Sequence, residues 1–414
     1  MKTLRPYIVL FAVAILAYGL LIPQLGFYWD DLPISWISYQ LGPEALTRYF
    51  ASSRPVWGML YQFTARVFPQ VPMFWQVLAL LLRWSCSAVV YAIMTKLWKD
   101  KPGMALGVAL LFLVYPGFNQ HYSAYLYSHF YIVLFCFLLS FFCMLRAYES
   151  PDRYWAWTIA GMIFSALNLF VMEYFFVPEL TRVGVILIAI RDEQLSLRER
   201  ILRALKLWTP YLVVFVLGVV SRIFISNNQD YGMVLIDQLK SAPMDAIKSL
   251  TAMILLSLQL VLKDAWTQTL ELPSVALNKA VMTSYYIVVA ITVLVASAGF
   301  IFGPRDIEKP IRKNAVSALW LTGLGVLALL LAGWAFWLID FPVSLAWPAS
   351  RFTLPFILSV SLFFGGLISF VPWERLRIVL LVSLIALGAG KQYLNAQDYR
   401  QDWSTQKDLL WQMM

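Results

Sequence analysis

The chain has 414 residues, of which 61% are hydrophobic, 16% aromatic and only 13% charged, with a formal net charge of +9. A soluble domain carries about 25% charged residues and could not cover its surface with so few, which excludes a cytosolic enzyme, a disordered chain, a fibrous repeat and a disulfide-stapled module. What remains is an all-α, polytopic transmembrane helical bundle, with Trp and Tyr numerous enough for wide interfacial belts.

Apolar runs of roughly 20 residues mark membrane spans. They fall near 7–25, 73–95, 103–118, 127–146, 155–172, 174–190, 208–226, 281–303, 316–338, 352–371 and 377–391, about eleven spanning helices. The first follows Met1-Lys2-Thr3-Leu4-Arg5, with no small-residue cleavage site after it, and reads as an uncleaved helix. Pro116 and Pro178 mark places where helices end or break.

Lysine and arginine sort by side. Lys2 and Arg5, Lys96 to Lys101, Arg146 and Arg153, Arg191 to Lys206, Arg305 to Lys313, and Arg375 with Arg377 alternate with stretches richer in acids, including Asp230. The positive-inside rule then puts the N-terminus in the cytoplasm of a cell-membrane protein. Residues 244–262 are apolar enough to span, but spanning would carry Arg305 and Lys313 to the wrong side. We therefore expect 227–280 to be an extracytoplasmic loop whose helix lies on the membrane or re-enters it. Residues 26–72 are the first extracytoplasmic loop of a single integral domain, 1–391. In the tail, 392–414, Tyr399, Trp403, Leu410 and Met414 recur at helical spacing, which predicts an amphipathic helix. It stops without a cap or polar end; Trp411-Gln412 resembles an element past which uncharacterised bacterial multi-pass proteins continue, and that resemblance implies a longer chain.

Cys86, Cys136 and Cys143 all fall in apolar runs and read as small buried side chains. Two histidines, His121 and His129, are too few for a histidine metal site. The basic residues serve membrane orientation, so nucleic acid is not an expected partner.

The chemistry concentrates at the outer end of the first helix. Gly26-Phe27-Tyr28-Trp29-Asp30-Asp31-Leu32 sets two adjacent carboxylates at a membrane interface, and Ser53-Arg54-Pro55 follows. Adjacent like charges there need cations, a metal or solvent. The pair is either a solvated helix end or a general base beside a second carboxylate that tunes it. Arg54, Arg182, Arg222 and Arg351 are the outer cations suited to a phosphate through paired N–H donors; the competing reading is snorkelling to headgroups, favoured for Arg222. Glu173 is either a second acid, a partner for Arg182, or a helix-end carboxylate. Arg83, in the middle of an apolar run, must be paired and reads as structural. The stretch Gln120–His129, with Tyr127 and His129, offers rings and hydroxyls for a sugar, or an aromatic belt.

Taken together, a first helix, an acidic pair at its outer end and a long outer loop resemble the GT-C superfamily of membrane glycosyltransferases. Asp30-Asp31-Leu32 and Ser53-Arg54-Pro55 are similar to the acidic pair and Arg-Pro element of GtrII-type glucosyltransferases. Tyr115-Pro116-Gly117-Phe118, Tyr127-Ser128-His129 and Glu173-Tyr174-Phe175-Phe176 resemble elements of uncharacterised bacterial multi-pass proteins. The resemblance implies a sugar donor on a polyprenyl phosphate and a glycan, lipid or protein acceptor. It implies inverting transfer, and Asp30 or Asp31 as base, with Asp30 leading. The chain lacks a second acidic motif of the oligosaccharyltransferase type, so a divalent metal is a candidate cofactor and not a required one.

Two other classes compete. A transporter or flippase tends to show matching halves, which this sequence lacks. The third class is a non-catalytic scaffold, which has no need of an acidic pair beside outer arginines, or an acyltransferase or polysaccharide polymerase of another fold; a histidine-dependent acyltransferase wants an acid near its histidine, and the nearest acids to His129 are 20 or more residues away.

Overall fold

The computed structural model describes residues 4–224, 234–271, 278–304, 306–307 and 311–413. Lys2, Asp230, Arg305, Lys309 and Met414, used above for orientation or for the tail, lie outside the described residues. Among the described residues every regular element is helical.

In chain order, α1 (Arg5–Ala14) continues through a π-helical turn and a 3₁₀ turn to Gln24. Three short helices follow, α2 (Asp31–Leu41), α3 (Glu44–Tyr49) and α4 (Pro55–Val67). Then come α5 (Pro72–Leu97), α6 (Pro102–Val114), α7 (Ala124–Glu149) and α8 (Tyr154–Val171). The next are α9 (Arg182–Ala189), α10 (Leu197–Phe224), α11 (Val234–Ser241), α12 (Pro243–Gln259) and α13 (Ala265–Thr267). The chain closes with α14 (Lys279–Phe302), α15 (Ile311–Ala332), α16 (Trp334–Trp337), α17 (Phe356–Ser369) and α18 (Glu374–Met413).

Nine helices among the described residues are long and apolar enough to cross a membrane, and two shorter apolar ones, α6 and α17, pack within the bundle. The protein is a multi-pass membrane protein. One of the nine is Pro243–Thr267, within the 227–280 stretch. Its last turns touch the loop after α6, where Tyr115 Oη donates to Val261 O (3.2 Å) and Gln268 Nε2 to Pro116 O (3.0 Å). The continuous helix expected over 174–190 is absent. A turn, a 3₁₀ segment (Val177–Thr181) and the two-turn α9 replace it, because Pro178 removes a backbone donor and a buried ion pair fills the break.

α6 organises the centre. Every residue from Met104 to Val114 is buried, as expected of a helix apolar on all sides. α5, α17, α18 and α1 surround it, α7 packs between α5 and α8, α15 against α17, and α14 against α18. The end of so short a helix lies inside the protein, where its last carbonyls need donors. Arg83 of α5 supplies them: Nε and Nη2 donate to Leu113 O (3.2 and 3.1 Å), Nη2 to Phe112 O (3.4 Å) and Nη1 to Tyr131 Oη (3.4 Å). The rings of Tyr18, Phe112, Phe118 and Tyr131 enclose the guanidinium. The expected pairing of Arg83 is thus with a helix C-terminus and not with an acid.

Candidate active site

The turn after α1 is built around a close approach. A Cβ on Gly26 would lie 2.0 Å from the Trp403 ring of α18, so only glycine fits. Tyr28 Oη accepts from Gly26 N (3.0 Å) and donates to Tyr399 O (2.8 Å), tying the turn to α18. Trp29 then takes a positive φ of 49°, which a non-glycine residue adopts only under constraint. The chain reverses there, and α2 starts.

That reversal separates the two carboxylates. Asp31 is fully buried, its Oδ1 accepting from Leu126 N–H (2.8 Å) in the first turn of α7 and its Oδ2 from Tyr28 N–H (3.4 Å). Burial pushes its carboxyl up to about 8, although the Leu126, Tyr28 and Tyr125 N–H groups pull the other way. Asp30 instead lines a cavity of about 300 Å³. Its side chain caps no helix and makes no hydrogen bond among the described residues. Burial raises its pKa, and Arg351, on the same cavity, opposes the rise.

Three arginines line this cavity: Arg54, Arg222 and Arg351. Arg54 precedes α4 and forms a salt bridge with Glu173, in the turn after α8. Arg222, near the end of α10, reaches the other oxygen of Glu173 at 3.4 Å. Burial pushes the Glu173 carboxyl up, but Arg54 and Arg222 more than offset it and hold it below the usual range. Sequence reasoning gave Arg222 to lipid headgroups and offered Arg182 as a partner for Glu173; the structure pairs Glu173 with Arg54 and Arg222 instead.

Arg351 sits in a 3₁₀ turn, Ala349–Thr353. Its guanidinium lies 5.4 Å from the Trp29 ring and 5.0 Å from the Phe352 ring, and it forms no salt bridge among the described residues. Its buried Nε, like that of Arg222, has no hydrogen-bond partner. The loop after α6 holds this turn in place. Gln120 Nε2 donates to Pro348 O and Ser350 Oγ (both 2.7 Å), Ser350 Oγ donates to Asn119 Oδ1 (2.6 Å), and Thr353 Oγ1 to Gly117 O (3.0 Å). Tyr127, on the cavity wall, donates to Gln120 Oε1. The link between Gln120 and Ser350 escaped sequence reasoning, because it runs across 230 positions.

The remaining two candidates lie off the cavity. His129 is a wall residue: Nδ1–H donates to Tyr125 O (2.8 Å), Nε2 accepts from Thr64 Oγ1 (2.7 Å), and the ring stacks on Tyr61 at 3.6 Å. Arg182 is fully buried against Glu179 and Ser140 Oγ (both at 2.8 Å) and sandwiched between Phe141 and Tyr211.

Electrostatically, three guanidinium groups face two carboxylates, and one carboxylate is already held by two of them. The surplus suits an anion. A divalent metal fits poorly. Asp30 would be its one uncommitted carboxylate, since Glu173 is ion-paired and Asp31 is turned away into backbone N–H groups. Among the described residues no group of three His, Cys, Asp or Glu side chains comes together. No family model matches the chain, and no curated protein matches it.

Proposed function

We propose that the protein is a membrane glycosyltransferase. It moves a sugar from a polyprenyl-phosphate donor to an extracytoplasmic acceptor, with Asp30 as general base. The observation that carries this reading is the sharing of one cavity by an uncommitted carboxylate, Asp30, and an uncommitted guanidinium, Arg351. In the reaction the acceptor hydroxyl passes its proton to Asp30 and its oxygen bonds to the anomeric carbon. The carbon–oxygen bond to phosphate breaks, and its electrons leave with the lipid phosphate. Arg351 and Arg222, with spare N–H donors, stabilise that growing charge where water is scarce. Tyr49 and Phe50, which line the cavity and keep exposed ring surface, supply ring faces for the sugar, backed by the buried rings of Tyr127, Trp57 and Phe336. Attack from the face opposite the phosphate inverts the anomeric centre.

The cell-membrane orientation in this reading rests on the distribution of basic residues. Lys96 pairs with Glu149, Lys101 reaches Ile307 O and Arg191 reaches Leu97 O, so these cations gather at one end of the bundle. The N-terminus would share that end and be cytoplasmic. The cavity, at the far ends of α7 and α8, would face outward.

The test is reconstitution in proteoliposomes with a set of undecaprenyl-phosphate hexoses, following release of undecaprenyl phosphate. Asp30→Asn should lower turnover by about 10²–10⁴-fold with folding intact. Full activity of this variant would sink the assignment.

A further inference from the structure

A second cavity, of about 420 Å³, lies beside the turn after α1. Tyr28, Trp29, Trp347 and Tyr399 line it with rings, and Asn395, Asp398, Asp402 and Gln406 of α18 line it with polar groups. Tyr28 and Trp29 line this cavity while Asp30 lines the first, and the chain reverses between them at the positive φ of Trp29. Trp347 packs edge-on against Trp29 at 5.1 Å yet remains 52% exposed, a large ring left open to the cavity.

We propose that this second cavity is a binding site for a neutral glycan. Its lining has no lysine, arginine or histidine, so nothing there would hold a phosphate or another anion. Asp398 and Asp402 stand one helical turn apart on the same face of α18. Carboxylate and amide oxygens at that spacing accept hydrogen bonds from neighbouring hydroxyls, while indole and phenol faces cover the apolar C–H face of a pyranose ring. Ser123, also on the lining and fully buried, lies near the Tyr399 phenol, and its hydroxyl completes no well-directed hydrogen bond within the protein. A ligand hydroxyl would satisfy it. In one respect the inference rests on the proposed transferase reading: there, the glycan is the acceptor, and its chain enters past Trp29 toward Asp30. The binding site itself does not depend on that reading.

The experiment uses the full chain in nanodiscs and five neutral probes: maltotetraose, cellotetraose, mannotetraose, chitotetraose and β-1,4-galactotetraose. Saturation-transfer NMR should detect binding of at least one of them below ~10 mM. Trp347→Ala and Asp402→Asn should each weaken it by at least about tenfold, Trp347→Phe should largely restore it, and thermal unfolding should be unchanged. The proposal is overturned if none of the five binds, or if binding ignores both substitutions. It is also overturned if terbium luminescence shows that Asp402 instead serves a metal ion. A parallel titration with undecaprenyl phosphate keeps the two readings apart, because that binding should depend on Arg351 and not on Trp347. Loss of the Arg351 dependence alone defeats the transferase reading and leaves the glycan site standing.

Discussion

Asp30 and Arg351 line one cavity and act on each other electrostatically, yet no ion pair closes between them. Each therefore keeps its bonding capacity for a ligand, whereas the other charges nearby are already engaged. Arg351→Ala should raise the KM for a polyprenyl-phosphate donor and lower kcat, costing about 10²–10³-fold in kcat/KM. Arg351→Lys should recover only part of this, because an ammonium lacks the paired donors of a guanidinium. Steady-state kinetics on purified protein decides; equal activity of wild type and Arg351→Ala removes Arg351 from the site.

Glu173 binds two arginines, and its removal leaves both cations facing each other. Glu173→Ala should lower stability by about 1–3 kcal/mol. A double-mutant cycle with Arg222→Ala should show coupling of roughly 0.5–3 kcal/mol, since the second change removes the stranded cation. Unfolding by heat or denaturant in detergent measures both, and strict additivity would mean that the triad carries no shared energy.

The raised carboxyl of Asp31 makes stability depend on pH. Unfolded, Asp31 releases its proton near the ordinary value of about 4; folded, burial holds the proton until about 8. The contribution is complete below the unfolded value, declines as pH rises, and is lost once pH passes the folded value. The unfolding temperature of the wild type should therefore fall between about pH 5 and pH 8 and flatten above. Asp31→Asn should remove this slope while lowering stability at acid pH, since an amide N–H then meets a backbone N–H. A wild-type profile that rises through this window contradicts the burial argument.

Arg83 predicts a structural loss without a catalytic signature. Arg83→Met strands the carbonyls of Phe112 and Leu113 inside the bundle and should cost about 1–3 kcal/mol for each one left unpaired. Arg83→Lys should also be destabilised, because one ammonium cannot replace both Nε and Nη2. Whatever Arg83→Lys protein folds should turn over at the wild-type rate per folded molecule.

Much of this architecture was legible from apolar runs, because a lipid-facing helix must be apolar along its length. The position of Asp30 was legible too, since a charge pair at a helix end stands out against 13% charged residues. Long-range partners were not. Arg222 and Glu173 lie 49 positions apart, and Gln120 and Ser350 lie 230 apart, distances at which no periodicity speaks. His129 carried sugar-binding chemistry in its type, but both ring nitrogens are engaged within the wall. The break at Pro178 was visible; the ion pair that fills it, Glu179 with Arg182, needed the fold.

One helix, α18, runs 40 residues without interruption. At 1.5 Å per residue it is about 60 Å long, twice a hydrocarbon core of about 30 Å. It is a strut whose first half packs against α14 and α6 and whose second half carries Asp398, Tyr399 and Asp402 and meets the turn after α1 through Tyr28. A strut anchored in lipid turns a change of tilt into a sideways displacement of its far end, so bilayer thickness becomes a setting for the width of the second cavity. Nanodiscs of shorter-chain lipids should shift glycan affinity there and leave lipid-phosphate affinity beside Arg351 nearly constant; equal shifts at both would show that the strut does not bend the balance.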